Sequence, residues 1–301
     1  LLWHKSSGKT LYPAIVWQDR RTSAQCQQLK DAGLEPMLQQ KTGLLADKVS
    51  SRSHDAQWQP VWGQRAQIRD HYNEITLNLR ESAAPGRQFT LVFRSFDDGV
   101  AFRYQVPAQA ALQGDLVISD ELTEFAFARN FSAWWVEAYR TLSFEYQYMN
   151  SALSSVSVAH TPLTLTDDGI AVAVHEAALV DYSSMTLRNI TDNHITLKAD
   201  LMPWGGANPG VANAGMDSSA TVDRVYTKAP FQSPWRTIQI APTEAALLNS
   251  SLILNLNEPM AAGTDTSYIK PGKYMGIWWE MHIGEKDWSP GPKQGATTAR
   301  A

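Results

Sequence analysis

From about residue 52 onward, apolar residues recur at every second position. Ile75, Leu77 and Leu79 alternate with polar neighbours, Phe89, Leu91 and Phe93 do the same, and Phe102, Tyr104 and Val106 resume the pattern. A period of two puts one face of an extended chain in a core and the other in water. These runs therefore predict half-buried strands over 75–80, 89–94 and 101–106. Leu163 and Leu165, followed by Ile170, Val172 and Val174, predict a hairpin over 163–166 and 169–175. Asp97-Asp98-Gly99 and Asp167-Asp168-Gly169 sit between paired runs, where glycine supplies the positive φ of a tight turn. Shorter apolar runs follow at Ile195–Leu197, Val222–Tyr226 and Thr237–Ile240. The fold class is mainly β, an antiparallel β-sandwich. The stretch Gly205 to Gly215, rich in glycine, alanine and asparagine, predicts a long loop of the functional or mobile kind.

The two ends have a different texture. Ala14-Ile-Val-Trp17 predicts a strand, and Thr22 or Ser23 caps a helix carrying Cys26, Leu29 and Lys30 that Gly33 stops. A second short helix is expected over Glu35–Gln40. At the far end Pro271 and Gly272 break the chain, and Tyr274-Met-Gly-Ile-Trp-Trp279 reads as a strand with Glu280 and His282 at its edge. That is the form of the first strand of a (β/α)₈ barrel, whose functional groups project from the C-terminal strand ends. Trp278 and Trp279 point to opposite sides of such a strand. Three regions are expected: 1–50, a short α/β appendage; 51–268, the sandwich; and 269–301, the start of a truncated barrel.

Bulk chemistry narrows the partners. A formal charge of −4 without a Lys/Arg cluster argues against nucleic acid. The single cysteine, Cys26, excludes an intrachain disulfide framework and a cysteine-rich zinc site, and its place on an apolar helix face reads as a small buried hydrophobe. No apolar run approaches the ~20 residues of a membrane-spanning helix, and no signal peptide is read at the start. The eleven tryptophans read first as core aromatics, with sugar-stacking platforms as the alternative. The sequence leaves the oligomeric state open.

Several blocks stand in one order: Trp58-Gln-Pro-Val-Trp-Gly63, Ile68-Arg-Asp-His-Tyr-Asn-Glu74, and Phe93-Arg94 with Asp98-Gly-Val-Ala-Phe-Arg-Tyr104. Glu176-Ala-Ala-Leu-Val-Asp-Tyr182, Ser233-Pro-Trp-Arg-Thr237, Leu254-Asn-Leu-Asn-Glu-Pro259, the Lys270–His282 run and Gly291-Pro-Lys-Gln-Gly-Ala-Thr-Thr298 continue them. Through these blocks, residues from about 52 to 301 resemble glycoside hydrolase family 97. The resemblance implies an N-terminal β-supersandwich followed by a (β/α)₈ barrel, acting on α-glucosides or α-galactosides, with most members exported to a bacterial periplasm. Earlier in the chain, Ala14-Ile-Val-Trp-Gln-Asp-Arg-Arg-Thr22, Cys26, Leu29, Gly33 and Thr42-Gly-Leu44 resemble a piece of glycerol kinase and the related FGGY carbohydrate kinases. The polyol-binding Arg-Glu pair of those kinases is missing, and Ala46-Asp-Lys-Val49 stands where their tyrosine belongs. A fused or misassembled reading frame is the expected explanation.

Hydrolysis of a glycoside needs two carboxyl groups about 5–9.5 Å apart. By the resemblance these come from later barrel strands, so no catalytic residue is assigned within 1–301. Glu176 matches the one calcium-binding glutamate that the family's N-terminal domain lends to the active site. A carboxylate is the hard oxygen donor that Ca²⁺ prefers, and a solvated strand-end glutamate is the competing reading. Asp181 either supports that site or is a plain turn residue. Trp279, Glu280 and His282 are the expected substrate contacts, and Arg236 is expected to pair with a carboxylate between sandwich and barrel. The leading function is the N-terminal portion of a calcium-dependent α-glycosidase taking oligosaccharide or α-glycoside substrates, inactive on its own. A non-catalytic carbohydrate-binding sandwich is the alternative.

Overall fold

The computed structural model describes residues 2–3, 10–12, 44–139, 146–190, 193–203, 223–270 and 272. The chain divides into two units, 1–58 with 67–259, and 59–66 with 260–301. The described strands and helices belong to the first. In the second, a turn closes from Thr264 N–H to the Ala261 carbonyl at 3.2 Å, and the Asp265 carboxylate accepts from Ser267 N–H at 2.9 Å.

In the first unit β1 (Leu2–Trp3) and β2 (Thr10–Tyr12) form a two-stranded ribbon. β3 (Leu44–Trp58), β4 (Ile68–Glu81), β5 (Gln88–Phe96) and β6 (Gly99–Val106) make an antiparallel meander. Short strands follow: β7 (Leu116–Ile118), β8 (Glu124–Ala126), β9 (Ser132–Trp135), β10 (Met149–Ala152) and β11 (Val158–His160). β12 (Leu163–Asp167) and β13 (Ile170–Ala177) form the second hairpin, and β14 (Met185–Ile190) and β15 (Asn193–Leu201) the third. β16 (Val225–Thr227), β17 (Phe231–Gln232) and β18 (Trp235–Ala241) end the strand sequence, with α1 (Glu244–Leu247) and α2 (Leu252–Leu256) behind them.

The large sheet runs β10-β9-β12-β13-β18-β6-β5-β4-β3, with β17 also on β6. A four-stranded sheet, β11-β14-β15-β8, packs against its inner face. Leu163, Leu165, Val172 and Val174 from the large sheet meet Leu187, Leu197, Ala199 and Leu201 from the small one in a single buried cluster. Each leucine or valine among them removed from water contributes roughly 1.5–3 kcal/mol. A second cluster lies on the opposite face, where Leu252 and Leu256 of α2 cover Tyr72, Val92, Phe96, Ala101 and Trp235. β13 is therefore buried on both sides, which is why Ala171 and Ala173 are apolar as well as Val172 and Val174.

The strands expected from alternation are present as β4, β5, β6, β12 and β13, and all pair antiparallel. β3 passes through residue 50, with Ser50 opposite Thr76 and Ser51 opposite Ile75, so the change of sequence texture falls inside a paired strand. The strand and helices expected over 14–40, the 205–215 loop and the barrel strand at 274–279 lie outside the described residues. Among the described residues, no helix is long and apolar enough to cross a membrane.

The Asp97-Asp98-Gly99 turn fastens α2 to the sheet. Asp98 Oδ2 accepts from Ser250 Oγ at 2.7 Å, Ser251 N–H at 2.7 Å and Leu252 N–H at 3.2 Å, capping the start of that helix. Trp58 Nε1 donates to Asn255 on the same helix at 2.9 Å. Gly99 has φ +151, and a Cβ there would lie 2.3 Å from the Ile238 carbonyl oxygen and 2.9 Å from Leu252 Cδ1. Both conformation and space exclude a side chain. Gly99→Ala is expected to cost at least about 2 kcal/mol in urea unfolding; a loss below ~0.5 kcal/mol would show that β6 can move off β18.

Candidate functional site

Glu176 lies one residue before the end of β13, directly across the ladder from Arg236 on β18, which in turn faces Phe102 on β6. Alternation turns all three toward the inner face of the large sheet. Past Ala177 the chain breaks away through two residues with left-handed backbone, Ala178 at φ 53 and Asp181 at φ 47. Met185 N–H at the start of β14 then returns to the Glu176 carboxylate, at 3.1 and 3.3 Å from its two oxygens.

Arg236 is fully buried and holds two carboxylates. Its Nη1 donates to Glu176 Oε2 at 2.7 Å, while Nε and Nη2 donate side-on to Glu121 at 2.8 and 2.6 Å. Glu121 comes from the segment between β7 and β8 and is itself 7% exposed. Thr123 Oγ1 donates to Glu121 Oε1 at 2.8 Å, so the Tyr104 hydroxyl, 2.6 Å from Thr123 Oγ1, is the donor in the next link. The Tyr182 ring lies 5.9 Å from the guanidinium. Residues from four separate stretches thus converge on one cation.

Two carboxylates against one guanidinium leave a surplus of negative charge in a dry place. Burial pushes the Glu176 carboxyl above its ordinary range, with Arg236 opposing the rise. Burial also raises the Tyr104 and Tyr182 phenols. For Arg236 burial works against the charge, and Glu121 and Glu176 outweigh it. Beside the triad Asp181, Tyr182, Ser183, Pro203, Arg224, Val225 and Tyr226 line an open depression of about 250 Å³.

Of the residues read from sequence, Glu176 is placed at a strand end as expected, but buried at 7% exposure. Asp181 is exposed in the turn after it. Trp279, Glu280 and His282 lie outside the described residues. Arg236 finds both its carboxylates on residues of the sandwich itself, because β13 and the 121 segment flank it on either side. Glu121 went unread: it lies 55 positions before Glu176 in an irregular segment, and no spacing rule connects the two. Among the described residues no group of three or more His, Cys, Asp or Glu is arranged for a metal ion. Taken alone they do not fit Ca²⁺, which takes 6–8 oxygens; Glu176 offers one carboxylate, already bonded to Arg236 and Met185.

Fold and site together define a two-sheet antiparallel sandwich domain locked by a buried ion triad. Residues 23–259 match the model of the glycosyl-hydrolase 97 N-terminal domain, and the chain belongs to that family. A glycoside hydrolase family 97 enzyme from Pseudoalteromonas sp. strain K8, solved in complex with acarbose, is 40% identical with a TM-score of 0.71. The match covers 85% of this chain and 36% of that one, and a structure of a variant of the K8 enzyme with panose matches equally. The chain thus spans about a third of the length of these solved relatives. A β-arabinopyranosidase shares the fold at 21% identity and a TM-score of 0.53, covering 66% of this chain and 32% of that one. A separate likeness is to glycerol kinases: those of Nitrosomonas eutropha and Marinomonas sp. are each 60% identical over 51 residues, 17% of this chain and 10% of the kinase.

Removing one member of a buried ion pair leaves the others uncompensated, so Arg236→Met is expected to cost about 3–5 kcal/mol in urea unfolding. Glu176→Gln is expected to cost less, since Arg236 keeps its side-on bonds to Glu121 and the surplus charge disappears. The sign with pH follows from the raised Glu176 value. The native state holds this proton when the unfolded chain, near 4.5, has released it, so stability falls as pH rises through that window. The penalty of Glu176→Gln relative to the parent should therefore shrink between pH 4 and pH 7. A penalty that grows with pH would mean the ionised Glu176 is the stabilising form.

Proposed function

We propose that this domain is the N-terminal sandwich of an α-glycosidase of the α-glucosidase or α-galactosidase type, one that hydrolyses O-glycosidic bonds in oligosaccharides. The observation that carries the reading is the family match over residues 23–259. The complexes of the K8 enzyme with acarbose and panose support an oligosaccharide as the substrate class.

In this reading the sandwich is a support and not the seat of bond cleavage. Glu121 and Glu176 are two buried carboxylates that meet in its core, and Arg236 stands between them, hydrogen-bonded to both. A glycosidic oxygen needs the space between two carboxyl groups, with one as the acid and the other as nucleophile or base. Here a guanidinium fills it. Calcium in the whole enzyme, with Glu176 as this domain's contribution, and a periplasmic address belong to the same reading, supported by the likeness of the 176–182 block and of the family.

The test is hydrolysis by the chain as it stands. An aryl α-glucoside and an aryl α-galactoside are expected to react no faster than in buffer, and millimolar calcium chloride is expected to leave the melting temperature unchanged. Turnover abolished by Glu176→Gln or Glu121→Gln would place catalysis in the sandwich and overturn the reading. Saturable binding of panose without turnover would favour a carbohydrate-binding module instead.

A further inference from the structure

The outer face of the large sheet carries a second charged cluster, built around Trp235. Arg94 on β5 lies 4.2 Å from the Tyr72 ring centre and 4.7 Å from that of Trp235, and Arg103 on β6 lies 4.4 Å from Trp235. Glu74 on β4, buried, accepts from Arg52 at 2.6 and 2.9 Å and from Arg94 at 2.8 Å. Burial pushes the Glu74 carboxyl up, and the two arginines more than reverse it. That carboxylate is then fully engaged.

Arg103 is left over. Its Nε is buried with no acceptor, and among the described residues it forms no ion pair. Burial first, then the like charge of Arg94, lowers its pKa, while Glu258 and Glu74 pull the other way from beyond ion-pair distance. The contrast with its neighbours is chemical. Arg52, Arg69, Arg87 and Arg236 each give Nε and Nη2 to the two oxygens of one carboxylate. A guanidinium edge matches a carboxylate in both shape and charge. Arg103 has that edge, a stacking partner on Trp235 and a neighbouring cation that strengthens its pull on an anion.

We propose that Arg103, backed by Arg94 and Trp235, is a binding site for a carboxylate group, taken side-on through Nε and Nη2. A free organic acid and an acidic side chain of a polypeptide share this chemistry. Proton–nitrogen NMR of the arginine Nε–H groups separates them, with the Arg103 signal assigned by its loss in Arg103→Lys. Sodium acetate is titrated against sodium chloride at constant ionic strength. For a free acid, the Arg103 Nε–H signal shifts downfield and saturates, while those of Arg52 and Arg236 stay still. A signal already shifted and slow to exchange before acetate, unchanged in Glu258→Gln, gives the same site to an acidic side chain of a polypeptide. An unshifted signal that acetate does not move overturns the proposal. So does a shifted signal that is lost in Glu258→Gln, since a neighbouring exposed residue then fills the edge. Should Arg103→Lys fail to fold, the Arg103 Nε–H signal is assigned through its side-chain carbons to its own backbone amide, and the wild-type titration and the exposed Glu258→Gln variant then decide the matter.

Discussion

A single guanidinium sets much of this architecture. Arg236 sits at zero exposure with carboxylates meeting it on two sides, and removing the guanidinium would leave both of them in a low-dielectric core without their counter-charge. The consequences run outward. β13 and β18 must keep Glu176 opposite Arg236, and the irregular stretch before β8 must bring Glu121 inward. A slip of one residue along β18 would exchange Arg236 with Trp235. It would bring a further guanidinium to the face where Arg94 and Arg103 already crowd, and leave Glu121 and Glu176 facing an indole. Register is thereby fixed by charge as well as by the hydrophobic pattern.

The two faces of the large sheet use arginine differently. On the inner face each nitrogen of the Arg236 guanidinium donates a hydrogen bond to a carboxylate, and the side chain is buried between layers. On the outer face Arg94 and Arg103 lie against aromatic rings, where their stems cover apolar surface and their charge meets π faces. Trp235 and Arg236 are adjacent in sequence and point to opposite sides, so one dipeptide of β18 serves both clusters.

How much of this the sequence disclosed follows the same division. Strands in which apolar and polar residues alternate over several positions, such as Ile68–Glu81 and Gly99–Val106, are legible in the sequence. β7 to β11 are three or four residues long, too short for a period to register, and β14 begins with three consecutive buried residues. The place of Glu176 at a strand end was readable, because alternation in Ile170–Val174 fixes where β13 runs. Its burial was not, since that depends on Arg236, 60 residues away, and on Glu121. Long-range pairing of charges leaves no local trace; it appears only when the sheet order is known.

β3 bears on how the molecule meets others of its kind. Among the described residues it forms one border of the large sheet, fifteen residues long, with β4 on one side only. A border of that length is a template on which a foreign strand could continue the ladder. Its composition works against that: Ser50, Ser51, Arg52, Ser53, His54 and Asp55 make a run without one apolar side chain. Arg52 is tied to Glu74 and Asp55 to Arg69, so the charges are held in place along the strand. A strand joining there would have to match a fixed sequence of plus and minus, which makes this long border a selective one.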